Sequence, residues 1–224
     1  MGQERIIHAA LLGAGTVGSG VYKLVKDLEE EIISKTGARL VVDKILVRDT
    51  TKAREGIPSE LLIDRWDEIL NDPKIEIVIE VMGGIRPALT WLEEALRAGK
   101  QVVTANKDLL AEYGEQLFDA AEAGKCDLHF EAAVAGAIPI IRPLKECLAG
   151  NHMAEVMGIV NGTTNFILTK MTQDGMEFKD ALALATELGY AEADPTADIE
   201  GLDAGRKVAI LASVAFNSRV VFDN

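Results

Sequence analysis

Cysteine is scarce in this chain. Cys126 and Cys147 stand without CxxC spacing, which favours reduced, packed thiols over a disulfide or a metal cage. Histidine is equally thin: His8, His129 and His152 are scattered, and nothing in their spacing supports a site of nitrogen and sulfur ligands. Long apolar runs are missing too. None of those present could span a bilayer and no basic-then-apolar leader opens the sequence, so the expectation is a cytoplasmic protein with no membrane partner. Basic residues are the minority charge: 23 Lys and Arg against 36 Asp and Glu give a net charge of −13, which argues against nucleic acid or an anionic membrane surface as a partner. An anionic cofactor would have to be held by local donors, so each basic residue beside a glycine loop becomes informative.

What is present is the composition of a folded globular protein. The 224 residues are 48% hydrophobic and 26% charged, enough for one large or two small domains. Repeats, low-complexity tracts and Pro/Ser-rich linkers are absent, so a second domain would grow directly out of the first.

Residues 5–12 read as a buried strand, and Gly13-Ala-Gly15-Thr16-Val17-Gly18 follows at once. Apolar residues then recur at helical spacing up to Lys35, with Gly37 as the stop. Strand, GxGxxG and helix in that order is the context a dinucleotide site requires. The glycines permit a tight turn and close backbone approach, and the helix N-terminus faces the pyrophosphate. The alternative is a glycine turn that merely packs helix on strand.

A second strand, residues 39–48, ends in Arg48, followed by Asp49, Lys52 and Arg54. Arg48 suits a ribose 2′-phosphate and favours NADP, Asp49 keeps NAD open, and Lys52 and Arg54 read equally as a solvated loop. A third strand at 75–81 stops at Met82-Gly83-Gly84, a helix runs from Pro87 to Gly99, and a fourth strand at 101–104 leads into Ala105-Asn106-Lys107. Lys107 therefore falls at a strand's carboxyl end, where open parallel sheets bind ligands, or is a surface loop lysine. A helix from Asp108 to about Ala123 and a fifth strand at 127–132 complete the pattern of an α/β, Rossmann-type, doubly wound parallel sheet.

The pattern then changes. The small-residue turn from Val134 through Gly136 and Ile138 to Pro139 can aim carbonyls at a ligand or an ion, or be a plain tight turn. After it the reading is a helix at 139–148, a strand at 155–160, a helix opened by Asn161 and capped by Thr163 or Thr164, and a further helix at 178–188 closed by Gly189. The expected division is a dinucleotide-binding domain over 1–138 and a smaller, incomplete α+β substrate-binding and dimerisation domain over 139–224.

The stretch Gly189–Lys207 concentrates Glu192, Asp194, Asp198, Glu200 and Asp203 and ends in a helix carrying Arg206 and Lys207. It reads as a solvated acidic loop or as a site. For the site, Asp203 and Lys207 lie four apart on one helix face with apolar residues behind them. A partly desolvated lysine there is a candidate proton donor, and Glu192 and Asp203 can hold a cationic group such as a substrate amine.

Five stretches together resemble one family in its own order: GAGTVG at 13–18, TANK at 104–107, EAAVAGAIPII at 131–141, GIVNGTTNFIL at 158–168 and LGYAEADPTADIEGLDAGRK at 188–207. The sequence resembles homoserine dehydrogenase over nearly its whole length. The resemblance implies NAD(P)-dependent interconversion of homoserine and aspartate 4-semialdehyde, on the route to threonine and methionine. It implies that Lys207 donates the proton, Lys107 assists between cofactor and substrate, Glu192 and Asp203 bind the substrate amine, and Gly189 lies near the cofactor. It further implies a sodium ion on the backbone of Glu131, Val134, Gly136 and Ile138, and a homodimer or higher homo-oligomer. Family members run on past the lysine helix through strands that complete a substrate sheet, so this chain is expected to be shortened, with an exposed sheet edge. A cofactor-binding, dimerising fragment without activity is the alternative.

Overall fold

The computed structural model describes residues 5–192 and 194–222. The chain divides into two compact units, residues 1–133 and 134–224.

The first unit is a six-stranded parallel sheet in the order β3-β2-β1-β4-β5-β6. Its strands are β1 (Arg5–Leu12), β2 (Ala38–Leu46), β3 (Leu62–Ile63), β4 (Ile75–Glu80), β5 (Gln101–Thr104) and β6 (Leu128–His129). Central β1 is flanked on both edges, and Ala9, Ala10, Leu11 and Leu12 are fully buried, as a near-continuous apolar run in a parallel sheet should be. The helices are α1 (Thr16–Asp27), α2 (Glu29–Thr36), α3 (Asp67–Leu70), α4 (Ala88–Arg97) and α5 (Lys107–Gly124). Val25 of α1 packs on Leu11, Val42 and Ile45. The strand order runs outward in opposite directions from β1 and β4, and right-handed crossovers then place helices on opposite faces of the sheet.

The helix expected to run to Lys35 is broken at Leu28 (φ −107°, ψ 26°), which ends α1 and begins α2. Glu29, Glu30 and Glu31 occupy the first turn of α2, where the helix dipole favours negative charge. Gly37 closes α2 in the left-handed region, as its place in the sequence suggests. The segment between β2 and β4 holds a 3-10 turn at Ser59–Leu61, the two-residue β3 and the single-turn α3, so that crossover is not a full helix. The fifth strand expected at 127–132 shrinks to β6, because Glu131–Ala133 turns into a 3-10 helix.

The second unit contains α6 (Gly162–Asp174), α7 (Phe178–Glu187), α8 (Thr196–Ile199) and α9 (Leu202–Ala215). Ala181 and Ala185, one turn apart on α7, are fully buried against Ile167 of α6, with Ala191, Phe166 and Met171 closing the cluster. The helix expected at 139–148 is reduced to a π-helical turn at Pro143–Cys147. Pro143 has no N–H to give to residue 139, and the Leu148 N–H reaches back five residues to the Pro143 carbonyl at 2.9 Å. The strand expected at 155–160 forms no ladder, because the described residues of this unit contain no second strand to pair with it. Its Met157 and Ile159 are 83% and 77% exposed.

Candidate active site

In the first unit the chain leaves β1 at Leu12 and turns at Gly13, whose φ of 100° only glycine adopts without strain and whose N–H donates to the Leu46 carbonyl at 3.0 Å. A Cβ on Gly18 would collide with the Gly13 carbonyl oxygen, so the third glycine lets α1 press onto the turn. A Cβ on Gly15 would meet nothing within 4 Å, so the second glycine leaves open space at the helix entrance. Thr16 and Val17 are exposed there, and the first turn of α1 carries no acidic residue. Its leading N–H groups, which a helix cannot satisfy internally, give a positive end for an anion. Crowded first and third positions around an open second one fit the pyrophosphate of a dinucleotide.

The crevice of this sheet falls between β1 and β4, where the strand order reverses. Arg48 stands exposed just beyond β2. Asp49 is engaged by Thr51, whose N–H and hydroxyl donate to it at 2.9 and 2.6 Å and hold its carboxyl below the usual range. Arg54 staples the same loop by donating to the carbonyls of Asp49 and Lys52 at 3.1 and 2.7 Å, a structural task that the charge pattern alone did not reveal. Lys107 opens α5, half-buried, directly after the Asn106 cap.

In the second unit the ammonium of Lys207 donates to Asp203 Oδ2 at 2.6 Å and to the Val160 carbonyl at 2.7 Å. The two residues expected on one helix face from their i, i+4 spacing thus meet as an ion pair, their side chains only 19% and 11% exposed. Asn161 sits beneath it. Its amide donates to Asp198 Oδ1 at 2.7 Å and to Asp203 Oδ2 at 2.9 Å, while its oxygen accepts from the Thr164 N–H and hydroxyl at 2.8 Å. The cap of α6 is therefore Asn161 itself, not Thr163 or Thr164. Thr163 is buried and donates to the Tyr190 carbonyl. Glu192 is exposed and lies outside this hydrogen-bonded set. Gly189 (φ 77°) terminates α7, with the Tyr190 N–H returning to the Ala185 carbonyl.

The small-residue turn carries two non-glycine residues in the left-handed region, Ala135 (φ 51°) and Ala137 (φ 67°), on either side of Gly136. The Ile138 N–H closes it on the Ala135 carbonyl at 2.8 Å; Val134 is buried, and Gly136 and Ile138 are exposed. Glu131 begins the 3-10 turn that ends the first unit. Among the described residues no group of three or more His, Cys, Asp or Glu is placed to hold a metal, so any cation here would rely on backbone carbonyls.

Two family models match the chain: homoserine dehydrogenase, NAD binding domain, over residues 13–131, and homoserine dehydrogenase over residues 139–224. The chain belongs to the homoserine dehydrogenase family. It is 48% identical to the homoserine dehydrogenase of Bacillus subtilis over 217 residues and 51% identical to that of Corynebacterium glutamicum over 223, covering 96% and 100% of this chain. The chain spans about half the length of these relatives, 50% of each. Among solved structures, a homoserine dehydrogenase from Thiobacillus denitrificans superposes with a TM-score of 0.89 at 45% identity, over 96% of this chain and 50% of that one. A hyperthermophilic archaeal homoserine dehydrogenase in complex with NADPH superposes with a TM-score of 0.82 at 28% identity, over 96% and 71%.

Within this chain, Asn161 and Asp198 are the residues of the hydrogen-bonded cluster around Lys207 and Asp203 that motif reading does not single out. Asn161 looked like an ordinary helix opening, and Asp198 like one charge in an acidic run. The signal that could have separated them is the NGTTN stretch itself, since a buried Asn must spend its amide hydrogens on acceptors and the longest carboxylate-rich stretch in this half of the chain is 192–203.

Proposed function

We propose that this chain carries the catalytic chemistry of a homoserine dehydrogenase, moving a hydride between NADP(H) and the pair L-homoserine and L-aspartate 4-semialdehyde. The observation that carries the reading is the Lys207 ammonium, pinned by Asp203 and the Val160 carbonyl in a largely desolvated corner. An ammonium has three N–H donors, and a third can reach a carbonyl oxygen. The nicotinamide, when bound, supplies the hydride to the aldehyde carbon. Lys207 gives its proton to the developing alkoxide as the carbonyl π bond breaks, and in the reverse direction it takes the hydroxyl proton back.

Asp203 and Glu192 supply negative charge for the substrate's amine, with Asn161 orienting Asp203. Residues 1–138 hold the cofactor and 139–224 the substrate. In this reading Gly13, Gly15, Thr16, Val17 and Gly18 cradle the pyrophosphate, Arg48 takes the 2′-phosphate that distinguishes NADP from NAD, and Lys107 and Gly189 are further cofactor-binding residues. The NADPH complex of the archaeal relative supports that choice of cofactor. A sodium ion on the carbonyls of Glu131, Val134, Gly136 and Ile138 would account for the left-handed alanines of that turn. The assembly is a homodimer or larger, in the cytoplasm.

The test is the appearance of reduced cofactor when the chain is mixed with L-homoserine and NADP. Turnover by the wild type, falling by a factor of about 10² to 10⁴ in Lys207→Ala, supports the reading. Cofactor binding without any turnover would overturn it and identify a cofactor-binding fragment instead.

A further inference from the structure

Glu80, the last residue of β4, is fully buried. Burying a carboxylate is unfavourable unless both oxygens are satisfied, and here they are. Oε1 accepts the backbone N–H groups of Met82 and Gly83 at 2.8 and 3.1 Å, and Oε2 accepts the Thr104 hydroxyl at 2.6 Å. Thr104, 1% exposed, accepts the Asn106 N–H at 3.0 Å, so its own hydrogen is committed to Glu80. Asn106 closes the ring by donating to the Gly84 carbonyl at 2.7 Å, and its oxygen caps α5 through the Leu109 N–H at 3.2 Å.

This ring ties the turn after β4 to the turn after β5, and both its ends reach the candidate crevice. On one side Met82 lies against Gly13, its Cγ 3.0 Å from where a Cβ would stand. On the other, Asn106 fixes the start of α5, whose first residue is Lys107. Gly83 and Gly84 hold φ values of 72° and 74°, so the turn is a shaped one rather than slack. The direction of the hydrogen bonds requires an acceptor at both ends of residue 80. A glutamine would present N–H₂ either to two N–H groups or to the Thr104 hydroxyl, which would have to turn its second lone pair to the amide and lose the acceptor for its own hydrogen. A carboxylate is the group that meets this demand.

We propose that Glu80, acting through Thr104, is a positioning residue for nicotinamide-cofactor binding: it presets the Met82–Gly84 turn and the Lys107 helix start at the mouth of the crevice. The proposal rests on the cofactor reading above. It makes Glu80 a positioning group and not a ligand contact, since its side chain is fully buried.

The experiment titrates NADPH onto the full chain and its Glu80→Gln, Thr104→Val and Thr104→Ser variants, by cofactor fluorescence, well below each variant's melting temperature. Glu80→Gln and Thr104→Val are expected to weaken NADPH binding about ten-fold, while Thr104→Ser, which keeps the hydroxyl, stays within two-fold of wild type. Variants with a lowered melting temperature but wild-type affinity would overturn the proposal and leave Glu80 a purely structural buried group. Should Glu80→Gln fail to fold, the Thr104 pair decides alone. A wild-type chain that binds neither NADPH nor NADH would sink the cofactor reading and this proposal together, a result distinct from binding that the substitutions leave untouched.

Discussion

In the first unit the groups that would face a ligand are backbone N–H bonds and the open Cα of Gly15, in a turn that Gly13 and Gly18 shape by close packing. In the second they are the side chains of Lys207 and Asp203, held in place by Asn161 and, through it, Asp198. The backbone site is assembled within one stretch of six residues behind the fully buried end of β1, Ala9 to Leu12, so the sheet positions it. The side-chain site joins segments 37 and 42 residues apart on short helices, and its unit leaves Met157, Ile159, Leu168 and Val208 more than half exposed. A site of the first kind tolerates side-chain change and fails on any added Cβ. A site of the second kind fails when one hydrogen-bonding partner is removed.

Breaking the comparison starts with Gly18→Ala. The new methyl has a carbonyl oxygen in its place, a backbone atom that cannot swing aside, so a loss of about 3 kcal/mol in urea unfolding is expected together with the loss of cofactor binding. A substitution without effect on the urea midpoint would mean the turn is not packed as described. Asn161→Ala comes next. Two carboxylates lose a shared donor and α6 loses its cap, and about 1–2 kcal/mol should disappear from the second unit, read by faster amide hydrogen exchange in α6 with the strands of the first unit unchanged. Exchange rising equally in β1 would show that the two regions are not separable in this way.

The smallest expected effect is on acid stability. The Lys44 ammonium, 2.9 Å away, and the Lys74 N–H hold the Asp72 carboxyl below its ordinary value of 3.8. A carboxylate with a depressed folded-state pKa stabilises the fold above its unfolded value, and that contribution is lost as pH falls through the folded one. Asp72→Asn should therefore lose less than about 1 kcal/mol at neutral pH and show a flatter decline in stability below pH 3.8. An unchanged acid profile would dismiss the ion pair as a contributor.

The contrast between the two sites also explains what could be read from residues alone. The glycine turn, the β5 run Gln101–Thr104 and the Asp203/Lys207 spacing were legible because each is local: turn chemistry, strand period and helix period lie within a few residues. β3 and β6 are two residues each, too short to carry any period. The break at Leu28 and the π turn at Pro143 are local competitions among helix rules that periodicity averages over. Residues 155–160 carry strand-like content, but a strand exists only where a neighbour supplies hydrogen bonds. The partnership of Asn161 with Asp198 and Asp203 is tertiary, and no spacing rule reports it.

The division of labour itself is tested most directly by titrating NADPH onto Lys207→Ala beside the wild-type chain. The account predicts dissociation constants within about two-fold of each other, because in it the glycine turn and not the lysine would hold the cofactor. A loss of affinity as large as the loss of homoserine turnover would contradict it.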